Sequence, residues 1–127
     1  MNTSGIKAHV EEGKYAIAII GKVPDDFFAV IKQKDEISVV VKEEQIEELE
    51  IEEYEKNYKI ITFDVTFNFS NPAVGFFAKI TTALAAKKIS ILGYSSYYTD
   101  HILVKEKDLE KAKEALRKIG IVIEWAF

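Results

Sequence analysis

The sequence predicts an α+β fold, an antiparallel sheet carrying two helices on one face. Three observations predict it. From Tyr58 onward the apolar periodicity switches in the order β-α-β-β-α-β, the ferredoxin-like arrangement. The stretch 69–105, FSNPAVGFFAKITTALAAKKISILGYSSYYTDHILVK, puts its polar clusters, SNPAVG and SSYYTD, on connections and its apolar residues between them. Hydrophobic residues make up 48% of the 127, enough to bury the core such a fold needs.

Residues 1–13 are polar with two glycines and are expected to fray, with His9 and Val10 able to begin a first strand. Lys14–Ile20 has the β-branched richness of a strand, and Gly21–Asp26 reads as a connection. Phe27–Gln33 and Ile37–Lys42 form a hairpin around Lys34, Asp35 and Glu36. Glu43–Glu55 carries eight glutamates, the mark of a solvated surface. A short helix can begin near Glu43, and Leu49–Glu53 alternates as a half-buried edge strand does. Asn57 suits a turn.

Tyr58–Phe67 is a strand with Ile61, Phe63, Val65 and Phe67 on one face and Ile60, Thr62, Asp64 and Thr66 on the other. Asn71 offers an N-cap and Pro72 the first helical position. Phe76, Phe77, Ile80, Ala83 and Leu84 then line one helical stripe, which Lys87 and Lys88 close with positive charge. Ile89–Tyr98 is the next strand, and Ile102–Lys105 pairs with it across a turn at Thr99, Asp100 and His101. Lys107–Ile119 is a second helix with Leu109, Ala112, Leu116 and Ile119 buried and a Glu114–Lys118 pair on its surface. Gly120 stops it, and Ile121–Trp125 is the last strand.

The first half reads as a degraded copy of the second. Asp35-Glu36-Ile37 and Val41-Lys42-Glu43 echo Asp100-His101-Ile102 and Val104-Lys105-Glu106, and Tyr15–Ile20 echoes Tyr58–Phe63. Two related modules are expected, a truncated one over residues 1–56 and a complete one over 57–127.

Composition removes several function classes. With 21 carboxylates against 17 bases and no basic block, nucleic acid is not an expected partner. There is no cysteine, hence no disulfide and no thiolate chemistry. The longest early apolar run, Tyr15–Ile20, is too short to span a bilayer, and nothing before it resembles a signal peptide; no membrane association and a cytoplasmic location are expected. All the bases but Arg117 are lysine, a bias that a skewed genome or a thermophile would both produce.

Phe69, Ser70 and Gly75, then Ser95, Ser96, Tyr97, Thr99 and Asp100, then Ile102, Leu103 and Val104 resemble the ACT-domain family. More closely, the chain resembles small bacterial two-module ACT proteins related to the cytosolic arginine sensors of eukaryotes. The likeness covers the second half well and reaches the first through Tyr15–Ile20 and Phe27–Lys42. It implies an ACT-like fold, a homodimer and regulatory binding of a free amino acid at an interface between modules or subunits. In one departure, the glycine comes three residues after Pro72, where many ACT domains place the two together.

The residues themselves outline a zwitterion site. A helix N-terminus beginning near Ser70 and Asn71 presents unpaired N–H groups to a carboxylate, and Gly75 lets a ligand approach the backbone or simply lets the helix pack closely. Asp100 can pair with an α-ammonium or serve as an ordinary turn aspartate. Ser95 and Ser96 can orient either end of the ligand. Tyr97 and Tyr98 are expected on opposite faces of their strand, one of them toward the site.

Catalysis is not expected: no serine sits in a nucleophile elbow, and His9 and His101 lack metal-ligand spacing, so no metal or cofactor is called for. An RNA-recognition module shares the element order, but His101–Lys105 lacks its stacking aromatics. The alternative is an interaction or dimerisation module with a regulated protein partner and no small-molecule ligand.

Overall fold

The computed structural model describes residues 6–64 and 75–125. Within it the chain forms two compact units, Gly13–Tyr58 and Met1–Glu12 with Lys59–Phe127.

In the Gly13–Tyr58 unit the strands are β2 (Tyr15–Ile20), β3 (Ala29–Lys32), β4 (Ile37–Lys42) and the first part of β5 (Ile51–Asp64). They lie in the order β3-β4-β2-β5, every pair antiparallel. Strand alternation sends Ala18, Ile20, Val39 and Val41 to one face, where Ile46 from the Glu43–Glu48 segment and Leu49 just after it pack on them. That segment is a 3-10 helix, the short helix expected near Glu43. Asn57 is not a turn residue. It lies inside β5 with φ 70, at a shift in register between β2 and β5. The extra residue makes a bulge, and asparagine tolerates the left-handed backbone it requires. The Glu43 carboxylate accepts the Asn57 N–H at 3.0 Å, so the bulged amide is not left unpaired.

The other unit holds β1 (Lys7–Val10), the rest of β5, α1 (Phe76–Ala85), β6 (Ile91–Ser95), β7 (Thr99–Lys105), α2 (Leu109–Lys118) and β8 (Val122–Trp125). Its order is β6-β7-β5-β1-β8. Two expectations are corrected here. Residues 7–10 do not fray; they form a strand paired on both sides, with Ala8 fully buried. The sheet is mixed rather than antiparallel, because β1 lies between β5 and β8 and runs parallel to β8.

Both helices cover one face, as expected. Phe76, Ile80 and Leu84 of α1 and Ala112, Ala115 and Leu116 of α2 share a core with Ala8, Val10, Ile61, Phe63, Ile102 and Val104. At about 25 cal/mol per Å² of apolar surface removed from water, this stripe-on-sheet contact is the main stabiliser of the unit. Gly93 permits its closeness: a Cβ there would stand 2.4 Å from Cζ of Phe77. The exposed Glu114–Lys118 pair forms at 3.9 Å.

The helices end in the same way. Ile89 N–H reaches Leu84 O at 3.1 Å across left-handed Lys88, and Ile121 N–H reaches Leu116 O at 3.1 Å across left-handed Gly120. Each stop pairs an orphan carbonyl and folds an isoleucine onto a leucine in the core.

The expected turn over Thr99, Asp100 and His101 is also corrected. All three belong to β7, with Ser95 paired to Asp100 and the chain reversing at Tyr97 and Tyr98. Β6 is correspondingly shorter than Ile89–Tyr98.

Candidate functional site

Asp100 alternates with Ile102 and Val104, which places it on the helix-covered face of β7. Its cross-strand partner Ser95 lies on β6 two residues beyond Gly93, the point where Phe77 of α1 touches the sheet. Ser95 Oγ donates to Asp100 Oδ1 at 2.7 Å. The second oxygen, Oδ2, accepts no hydrogen bond among the described residues. The site therefore presents a half-buried carboxylate with one lone-pair-bearing oxygen open to a donor.

The helix expected to start at Pro72 behind an Asn71 cap instead starts at Phe76, with Gly75 as its N-cap. Gly75 has φ 81, a left-handed conformation that favours glycine, and its carbonyl accepts the first helical bond from Lys79 at 3.0 Å. A Cβ at Gly75 would meet nothing within 4 Å, so close packing does not explain this glycine. The backbone conformation does. Ser70 and Asn71 lie outside the described residues, as do Phe69 and Pro72.

Ser96 is bonded to Thr99 rather than to Asp100. Its hydroxyl bonds Thr99 Oγ1 at 2.5 Å, and its N–H donates to Thr99 O at 2.9 Å, closing the hairpin. Tyr97 and Tyr98 are not on opposite faces of a strand. Both sit at the hairpin tip, 56% and 63% exposed, with ring centroids 4.7 Å apart.

Sequence reasoning missed what anchors that tip. On the sheet face away from the helices, Thr62 Oγ1 donates to Glu11 Oε2 at 2.6 Å and lies 2.8 Å from His101 Nδ1. A hydroxyl has one proton, so His101 Nδ1 must carry the proton it shares with Thr62. In neutral His101, Nε2 then accepts from Thr99 Oγ1 at 2.9 Å. Burial, the largest influence, lowers the His101 pKa and outweighs the carboxylates of Glu11 and Asp100. His9 is the opposite case. Burial lowers its pKa, but hydrogen bonds and charge from Glu11 at 2.7 Å and Asp64 at 3.4 Å together raise it. A directed chain of hydroxyls and imidazole thus runs from the hairpin closure to β1. The signal was present in the strand alternation, which puts His9, Thr62 and His101 on one face once β1 is recognised as a strand.

Among the described residues no group of three or more His, Cys, Asp or Glu could hold a metal ion, and no helix is long and apolar enough to cross a membrane.

A family model for the ACT domain matches residues 53–118, more than half of the chain. The chain belongs to the ACT domain family. Among solved structures, this ACT-domain chain is similar to the Agobacterium tumefaciens protein Atu0741, at 24% identity and a TM-score of 0.81, over 96% of this chain and 94% of that one. It is also similar to the regulatory subunit of aspartate kinase from Thermus thermophilus, at 13% identity and a TM-score of 0.66, over 93% and 98%. The aspartate kinase of Clostridium acetobutylicum matches at 17% identity and 0.67, over 94% of this chain but 36% of the enzyme. At these identities the likeness is one of fold. None of the curated proteins matches the chain in sequence.

Proposed function

We propose that this ACT-domain chain is a non-catalytic regulatory protein of the cytoplasm that binds a free amino acid, acting as a homodimer. The ligand carboxylate is received by the first-turn amides of α1, and Ser70, Asn71 and Gly75 are proposed as further ligand contacts. The α-ammonium pairs with Asp100, flanked by Ser95, while Ser96 and Tyr97 border the pocket from the hairpin. The observation that carries this reading is the Ser95–Asp100 pair, which leaves one carboxylate oxygen unbonded on the face that bears α1. Regulatory subunits of aspartate kinase among the structural neighbours support it. In this reading residues 1–56 are a truncated, related module, and the chain resembles the small bacterial two-module proteins related to the eukaryotic arginine sensors.

Thermal unfolding with each of the twenty amino acids tests it. A ligand that binds only the folded state, at about a hundred times its dissociation constant, adds roughly 2.7 kcal/mol and raises the midpoint by several degrees. One or two amino acids should do so, and Asp100→Ala should abolish the shift while leaving the unliganded midpoint nearly unchanged. Twenty flat curves would sink this reading. The second reading, a protein-interaction module, would then stand on the exposed Tyr97–Tyr98 tip.

A further inference from the structure

The unit Gly13–Tyr58 has a second sheet face, opposite the one covered by Ile46 and Leu49. The register sets Ile31, Ser38, Ile19 and Glu53 side by side across its four strands. Ile17 and Glu55 form the neighbouring pair. Ile17 and Ile19 are only half-buried, and Ile31 is 45% exposed. Ile17, Ile19, Ser38, Glu53 and Glu55, with Ala18 and Tyr54, line an open groove of about 260 Å³ whose third carboxylate is Glu36, and Ile31 adjoins it across Ser38. No lysine or arginine lines it. Alternation explains why: Lys32 is paired with Ile37, on the covered face, and Lys56 follows Glu55 on the strand and so faces the other way. Lys42, on the same face, is opposite Tyr15 and lines a separate cavity of about 130 Å³ with Asp26 and Gln45.

An apolar floor with an all-acidic rim selects its occupant by charge. A second copy of the same face would bring glutamates against glutamates, which is unfavourable, and nucleic acid or an anionic membrane would be repelled. We infer that this groove docks a short amphipathic basic segment of a partner protein, apolar side chains on Ile17, Ile19 and Ile31, lysines or arginines to Glu36, Glu53 and Glu55. Complementary charge then sets partner choice and encounter rate, and the isoleucines provide the contact area. The groove belongs to the Gly13–Tyr58 unit and the Ser95–Asp100 pair to the other, so this inference does not rest on amino-acid binding.

The test is a titration of the full chain, labelled with ¹⁵N, with a peptide of about eight alternating Lys and Leu residues, the length of an ordinary strand. Amide shifts should concentrate on Ile17, Ile19, Ile31, Ser38 and Glu53, with affinity falling as salt rises. The double variant Glu36→Lys, Glu53→Lys should lose roughly tenfold or more in affinity for this peptide and gain affinity for its Glu–Leu counterpart. If that variant does not fold, Ile31→Ser, on an edge strand, should weaken binding severalfold on its own. Shifts centred elsewhere, such as around Glu110 and Glu114, would overturn the inference. So would an absence of shifts at millimolar peptide, or equal binding by the variants.

Discussion

At the scale of single residues, the two histidines are the most informative. His9 faces two carboxylates and His101 faces two hydroxyls, so the surroundings favour the charged form of the first and, with burial, the neutral form of the second. Their effects on stability have opposite signs. The raised pKa of His9 means the folded chain holds a proton the unfolded chain has lost; its contribution is full below about pH 6.5 and disappears as pH rises through the folded value. The lowered pKa of His101 means the unfolded chain takes up a proton first; its contribution is full above about pH 6.5 and is lost as pH falls. Stability should therefore peak near the ordinary histidine pKa, as far as these two groups decide it. Denaturant unfolding from pH 5 to 8 should show His9→Gln flattening the alkaline limb and His101→Gln the acid limb. An NMR titration placing both pKa values on the same side of 6.5 would contradict the assignment.

At the scale of elements, the contact between α1 and β6 sets how close the helix comes to the proposed site. Gly93→Ala drives a methyl into the Phe77 ring, 2.4 Å from its Cζ, and should cost about 1–3 kcal/mol. Phe77→Leu in the same chain should recover much of the loss, a coupling that a double-mutant cycle by urea denaturation measures directly. Helix faces of this kind were legible in the sequence, because Phe76, Ile80 and Leu84 repeat at helical spacing and are buried as that spacing requires. The hairpin was legible only in outline. Thr99, Asp100 and His101 look like turn residues because they are polar. They are polar because two of them bond across the open face of the sheet and the third bonds Ser95. Local propensity saw the hydroxyls and carboxylate but not the strands that satisfy them. Likewise Lys7–Val10 is too short, and Ala8 too small, for alternation to announce a central strand.

At the scale of the whole molecule, the N-terminal residues matter more than their composition suggests. Deleting residues 1–12 removes Ala8 and Val10 from the core and leaves β5 and β8 without the strand between them. The loss should be several kcal/mol, a large share of the 5–15 kcal/mol typical of a domain. Far-UV circular dichroism and a denaturant titration of the truncated chain would check it; a stable, cooperatively unfolding product would show that β1 is dispensable. The proposed amino-acid site should be lost with the sheet even though no site residue is removed.

The placement of β1 also bears on how the chain is made. Strand β1 leaves the ribosome before β8, which binds one whole side of it and lies over a hundred residues further along the chain. At ordinary elongation rates the wait is on the order of ten seconds, during which a row of backbone donors and acceptors on β1 has no permanent partner. Short length and the charged Lys7 and Glu11 are the features that keep so early a strand from pairing with a neighbouring nascent chain. Closure of this sheet waits for a strand encoded far downstream of its partner.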